Sequence, residues 1–177
     1  PIIVPSPGVC MMLRMFSRSA VASLALAAIS LEGAPASSLA AGDWPGWRGP
    51  RRDGISTDTN LLTSWPKGGP ALAWTARGLG AGFSSVSIGS GRVFTMGDRR
   101  DGQYVIALDE NGGKELWATR VGVRHDDEFA GPRATPSVDG ALLYTTTTSG
   151  DVVALETATG KERWRRSMPR DFGGRMM

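Results

Sequence analysis

The chain has 177 residues, a formal net charge of +3, 24 glycines, six tryptophans and one cysteine. That length holds one ordinary domain, and the modest charge, with basic and acidic residues interleaved, argues against a nucleic-acid partner. Cys10 lies upstream of the expected mature start, which excludes disulfides and cysteine metal sites from the segment that folds. Frequent Gly, Thr, Val and Trp after residue 42, with few helix formers, favour an all-β chain.

In chain order, residues 1–10 read as a non-native or untranslated extension and residues 11–40 as a secretory signal peptide. Met11, Met12 and Met15 are candidate starts, Arg14 and Arg18 form a basic n-region, and residues 20–31 (AVASLALAAISL) form an apolar run. Ser38 and Ala40 supply the small residues of a cleavage site. The apolar run falls short of the roughly twenty residues that span a bilayer. The protein is therefore expected to be exported, periplasmic or extracellular, with no stable membrane span after cleavage. Residues 41–70 form a lead-in segment. Its Trp44, Trp47 and Arg48 have the chemistry to stack on a sugar or a base, but the favoured reading is that the segment plugs or laces one face of the fold.

An internal repeat governs the rest. Residues 105–117 (VIALDENGGKELW) and 152–164 (VVALETATGKERW) agree at seven of thirteen positions without a gap, and their tryptophans stand 47 residues apart. Residues 83–88 and 91–95 align with 133–138 and 140–145 in the same way. A third tryptophan, Trp74, precedes Trp117 by 43 residues. The period is that of a four-stranded propeller blade. An outer strand is expected at 71–77, then a blade at 83–120 with strands near 83–88, 92–97, 103–109 and 114–120. A second blade is expected at 131–167, with strands near 133–138, 141–147, 151–156 and 161–167, followed by the start of a further blade. Glycine-bearing turns between them suit tight hairpins, and the spacing leaves no room for crossover helices, so the blades are antiparallel meanders. The third strand of each unit is apolar on both faces, as a strand covered on both sides requires. Ile106, Leu108, Val153, Leu155 and Trp164 are expected to face water wherever a neighbouring blade is missing. Trp74, Trp117 and Trp164, with Gly113 and Gly160 in the turns, read as structural docking residues that tie one blade to the next.

These runs, with DWPGWRGPRRDGIS at 43–56 and GPRATP at 131–136, resemble the tryptophan-docking repeats of the PQQ-binding-like (quinoprotein-type) β-propeller family. That motif is roughly A-x-D-x-x-T-G-x-x-x-W. The first run keeps Asp109 but has Gly112 in the Thr position, and the second keeps Thr159-Gly160 but has Glu156 for Asp. The resemblance covers residues 43–177 and implies the N-terminal fragment of a multi-bladed β-propeller of four-stranded antiparallel blades, about seven or eight in number. For function it implies an exported repeat protein, most simply a binding or scaffolding propeller of the cell envelope, like the lipoprotein of the outer-membrane β-barrel assembly machinery. The alternative is a PQQ-dependent alcohol or sugar dehydrogenase. PQQ with Ca²⁺ is implied by resemblance only, and the adjacent cysteine pair that forms a vicinal disulfide in many of those enzymes is absent from this sequence. The implied partner is a protein or small-molecule ligand at the propeller face.

Two constellations carry candidate chemistry. His125-Asp126-Asp127-Glu128 places three carboxylates beside an imidazole, which makes Asp126, Asp127 and Glu128 candidate metal ligands, though with one His and no EF-hand spacing a solvated loop is the favoured reading. Arg133 opens an inner strand and is a candidate cofactor-binding residue; otherwise it pairs with Asp126 or Asp127. No catalytic residue is assigned. There is no Walker loop, GxSxG, HExxH or CxxC.

Overall fold

Turn glycines set the strand spacing. Gly91, Gly113, Gly140, Gly150 and Gly160 all adopt positive φ at hairpin turns. Between them the computed structural model, which describes residues 42–175, places eight strands. They are β1 (Ser87–Gly89), β2 (Arg92–Arg99), β3 (Gly102–Asp109), β4 (Glu115–Gly122), β5 (Ser137–Asp139), β6 (Leu142–Thr146), β7 (Asp151–Glu156) and β8 (Glu162–Ser167). They form two four-stranded antiparallel sheets, ordered β1-β2-β3-β4 and β5-β6-β7-β8. The fold is all-β, with two successive four-stranded meanders as expected of propeller blades. The extension at 1–10 and the signal peptide at 11–40 lie outside the described residues. Among the described residues no helix is long and apolar enough to cross a membrane.

The innermost strands are shorter than the sequence suggests. Of 83–88 only Ser87 onward joins the ladder, and of 133–138 only Ser137 onward. In the first unit the Ser84 hydroxyl, rather than a backbone carbonyl, accepts the Met96 N–H at 3.2 Å. In the second, Pro136 has no N–H to donate, and the ladder starts at the next residue. Residues 71–77 join no ladder at all among the described residues. After β8 the chain forms a short helix, α1 (Met168–Phe172), where the start of a further blade is expected. Proline in its first turn suits helix initiation, and Gly173 at φ 65 closes it.

Register decides which side chains meet. Phe94, Met96, Val105, Ala107 and Val121 of the first sheet pack against Leu143, Val153 and Leu155 of the second, a shared core between blades. Val93, Ile106 and Leu108 point the opposite way, where Trp74, Ala76 and Leu79, from the segment ahead of β1, cover them. This corrects the expectation for exposed faces: Ile106, Leu108, Val153 and Leu155 are all buried. Side chains alternate along a strand, so Val153 and Leu155 face the first blade while Val152 and Ala154 face away. Of the five residues named, Trp164 alone is exposed, at 43%.

The tryptophans repeat one geometry. The Trp74 indole N–H donates to the Glu110 carbonyl at 2.9 Å, and its ring lies over Gly113. The Trp117 indole N–H donates to the Thr157 carbonyl at 3.1 Å, with its ring over Gly160. Each ring thus reaches the turn of the following unit, and a Cβ on either glycine would overlap it. The motif's two variants close their turns differently. Asp109 accepts the Asn111 and Gly112 N–H groups directly. The longer Glu156 accepts the Thr159 hydroxyl, which in turn accepts the Lys161 N–H.

Candidate functional site

Phe83 and Arg133 occupy equivalent positions at the entry to successive inner strands, and the structure brings them to one place. The link is Phe129, in the loop between β4 and β5. Its ring packs edge-on to Phe83, with centroids 6.3 Å apart, and the Arg133 guanidinium lies 5.8 Å from its centroid. Arg133 also donates to the Phe129 carbonyl at 3.2 Å, and Phe83 N–H donates to the Pro132 carbonyl at 2.8 Å. Both phenylalanines remain exposed, Phe83 at 62% and Phe129 at 53%. Arg133 does not pair with Asp126 or Asp127.

The loop is pinned from below. Asp98 is buried at the end of β2, and its carboxylate accepts the His125 backbone N–H at 2.6 Å and the Gln103 amide at 3.2 Å. Gln103 is fully buried and reaches the second blade, donating to the Thr148 hydroxyl and accepting the Thr148 N–H. A chain of hydrogen bonds therefore runs from the loop through one blade into the next. Every polar atom in it has a partner, which rigidifies the loop it holds.

The carboxylates expected as metal ligands do not converge. Asp126 pairs with Arg124 at 2.9 Å, and Asp127 with the His125 ring at 2.6 Å. Asp127 also accepts the Phe129 N–H. Desolvation pushes the Asp127 carboxyl up, but the Phe129 N–H, His125 and the Arg133 charge together hold it below its ordinary range. Among the described residues no group of three or more His, Cys, Asp or Glu is placed to hold a metal ion. Trp74 and Trp117 lie over Gly113 and Gly160 with their indole N–H groups bonded, and Asp126 and Asp127 are held in ion pairs, so none of these four side chains is free to hold PQQ or Ca²⁺.

The strand-end arginines are engaged too. Arg163 pairs with Glu156, and Arg165 with Glu162 and Asp151. A cleft of about 520 Å³ lies elsewhere, between the lead-in and the second blade, lined in part by Trp47, Arg52, Asp139 and Tyr144. Its Ser137 and Tyr144 match Ser87 and Phe94, which are buried between the two blades. The cleft is thus the open side of a blade-packing face, and its volume is no argument for a ligand.

Residues 101–176 match the family model described as outer membrane protein assembly factor BamB, a PQQ-type repeat model. Over these residues the chain is similar to PQQ-like repeats. No curated protein matches the chain. Solved structures similar to the PQQ-like repeats include BamB from Moraxella catarrhalis, at 21% identity and a TM-score of 0.44, covering 55% of this chain and 28% of that one. Another is a europium-containing methanol dehydrogenase, at 24% identity and a TM-score of 0.37, covering 46% and 14%. The chain thus spans less than a third of either structure's length.

Sequence reasoning singled out Arg133 and the acidic run but missed Phe129, Asp98 and Gln103. The repeat alignment carried a signal for Phe83, because it sets Phe83 against Arg133. The loop residue Phe129 has no repeat counterpart and no local pattern to mark it.

Proposed function

We propose that these repeats belong to an exported binding or scaffolding propeller of the cell envelope, periplasmic or extracellular, and that its partner docks on the face carrying Phe83, Phe129 and Arg133. The observation that carries this reading is the exposed pair of phenylalanine rings with an arginine stacked on one of them, on a loop pinned to buried Asp98. Aromatic and arginine side chains held rigidly in advance dominate binding energy at protein interfaces. The description of the matched family as an assembly factor agrees with a protein partner.

The test places a photo-crosslinking residue at Phe83, at Phe129 and, as a control, at Leu116 on the outer strand, in cells exporting the protein. A discrete adduct from the first two sites alone, lost with Arg133→Ala, is expected. Equal crosslinking from all three would remove the face from consideration. Dye-linked alcohol or sugar oxidation after addition of PQQ and Ca²⁺ is expected at background, and turnover above it would favour the dehydrogenase instead.

A further inference from the structure

Strand order leaves β1 and β5 each with one edge that no strand of their own sheet covers. Those edges meet the lead-in. Trp44 and Ile88 exchange two backbone hydrogen bonds, at 2.9 and 2.8 Å, as an antiparallel bridge. One residue on, the Pro45 carbonyl accepts the Val138 N–H at 2.7 Å. Ile88 and Val138 are equivalent positions of the two repeats, so consecutive lead-in residues satisfy the same backbone donor in successive blades. The local sequence suits the task. Proline presents a carbonyl and no unused N–H, and Gly46 lies against Ser137, where a Cβ would stand 3.2 Å from its hydroxyl oxygen.

The segment then folds back on itself. Gly49 N–H donates to the Gly46 carbonyl and Gly54 N–H to the Arg48 carbonyl, at 2.9 and 3.0 Å. The Trp44 ring packs on Gly49, whose φ is 76. Arg48 and Arg52 hold positive φ without being glycine, and the Asp53 carboxylate ties Arg51 to the Ile55 N–H. None of these residues belongs to the two apolar cores of the blades.

We propose that residues 43–54 are a built-in strap, occupying the free inner edges of both blades in the way an added peptide strand would. An unpaired strand edge is a template for another chain, and a strand-like ligand binds such an edge through main-chain hydrogen bonds. Here the protein's own lead-in takes that place. It clamps the two blades together and denies the edges to other chains.

Amide hydrogen exchange on the full chain tests this. Ile88 and Val138 amides should be protected although both point away from their own sheets. Trp44→Ala and Gly49→Val should each lower protection at these two amides together, by about tenfold or more, and leave Val105, Ile106 and Ala107 in β3 unchanged. Fast exchange at Ile88 and Val138 in the unsubstituted chain would overturn the proposal. So would unchanged protection in both variants, or an equal loss at β3, which would make the segment part of one cooperative core.

Discussion

Gly113 and Gly160 do two things that no other residue does at their positions. Each holds a left-handed backbone, φ 66 and 71, and each leaves room for the indole of the preceding unit. Gly112, one residue earlier, has neither constraint: a Cβ there would meet only the Asp109 carboxylate, at 3.6 Å. Gly160→Ala is therefore expected to lower stability by about 2–3 kcal/mol and Gly112→Ala to leave it nearly unchanged, by urea unfolding. Trp117→Ala should lose about 3–5 kcal/mol, since the ring packs on the shared core and its N–H is satisfied. Trp164→Ala should lose far less, because that ring is half exposed and touches chiefly Tyr144, at a centroid distance of 6.0 Å. Equal losses for the two tryptophans would show that docking onto the next turn contributes little.

Between elements, the outer strands are joined by Arg165. It donates to the Val121 carbonyl of β4 at 2.7 Å while pairing with Asp151 of β7 at 2.8 Å, so one side chain spans both blades. Burial pushes the Asp151 carboxyl up, but hydrogen bonds from Arg165 and Ser167 and the charges of Arg165 and Arg170 outweigh it and leave it below its unfolded value of 3.8. A carboxyl depressed in the folded state adds stability above its unfolded pKa, and that contribution disappears as pH falls through the folded value. Arg165→Gln should therefore destabilise the chain by about 1 kcal/mol at neutral pH. It should also flatten the loss of stability below about pH 4. Urea midpoints at pH 7, 4 and 3 would check this, and an acid limb as steep in the variant as in the parent would assign it to other carboxylates.

At the scale of the whole molecule, one blade face lacks, among the described residues, the cover that its counterpart has. The row Phe94–Ala107–Trp117 in the first sheet and Tyr144–Ala154–Trp164 in the second are the same cross-strand arrangement, with the two aromatic rings tilted by 44° in both. The first row is sealed by the second blade. The second row, with Leu142 and Val152 on the same face, is only partly buried. Apolar faces of this kind drive association, and stacked repeats depend on their neighbours to bury them. The chain is expected to elute as concentration-dependent oligomers in size exclusion, and Trp164→Lys or Tyr144→Lys should shift it toward monomer. A monodisperse, sharply melting monomer at high concentration would contradict this.

The repeat and its consequences were legible in the residues themselves. A 47-residue offset between two runs alike at seven of thirteen positions, glycines at the turns and third strands apolar on both faces determine four-stranded antiparallel blades, because each is a local or periodic constraint. The same repeat sets Arg133 against Phe83, although β5 itself begins only at Ser137. Which faces the blades bury was not, since it depends on strand parity and on Trp74, Ala76 and Leu79 lying across the first sheet, contacts between residues far apart in the chain. The acidic run looked like a ligand set because sequence places its carboxylates side by side, whereas folding turned Asp126 to Arg124 and Asp127 to His125. Only tertiary structure decided that Phe83, Phe129 and Arg133 meet, that Asp98 and Gln103 hold the loop beneath them, and that Trp44 and Pro45 close the inner edges. Each of those contacts joins segments separated by loops, and no local periodicity records where a loop returns.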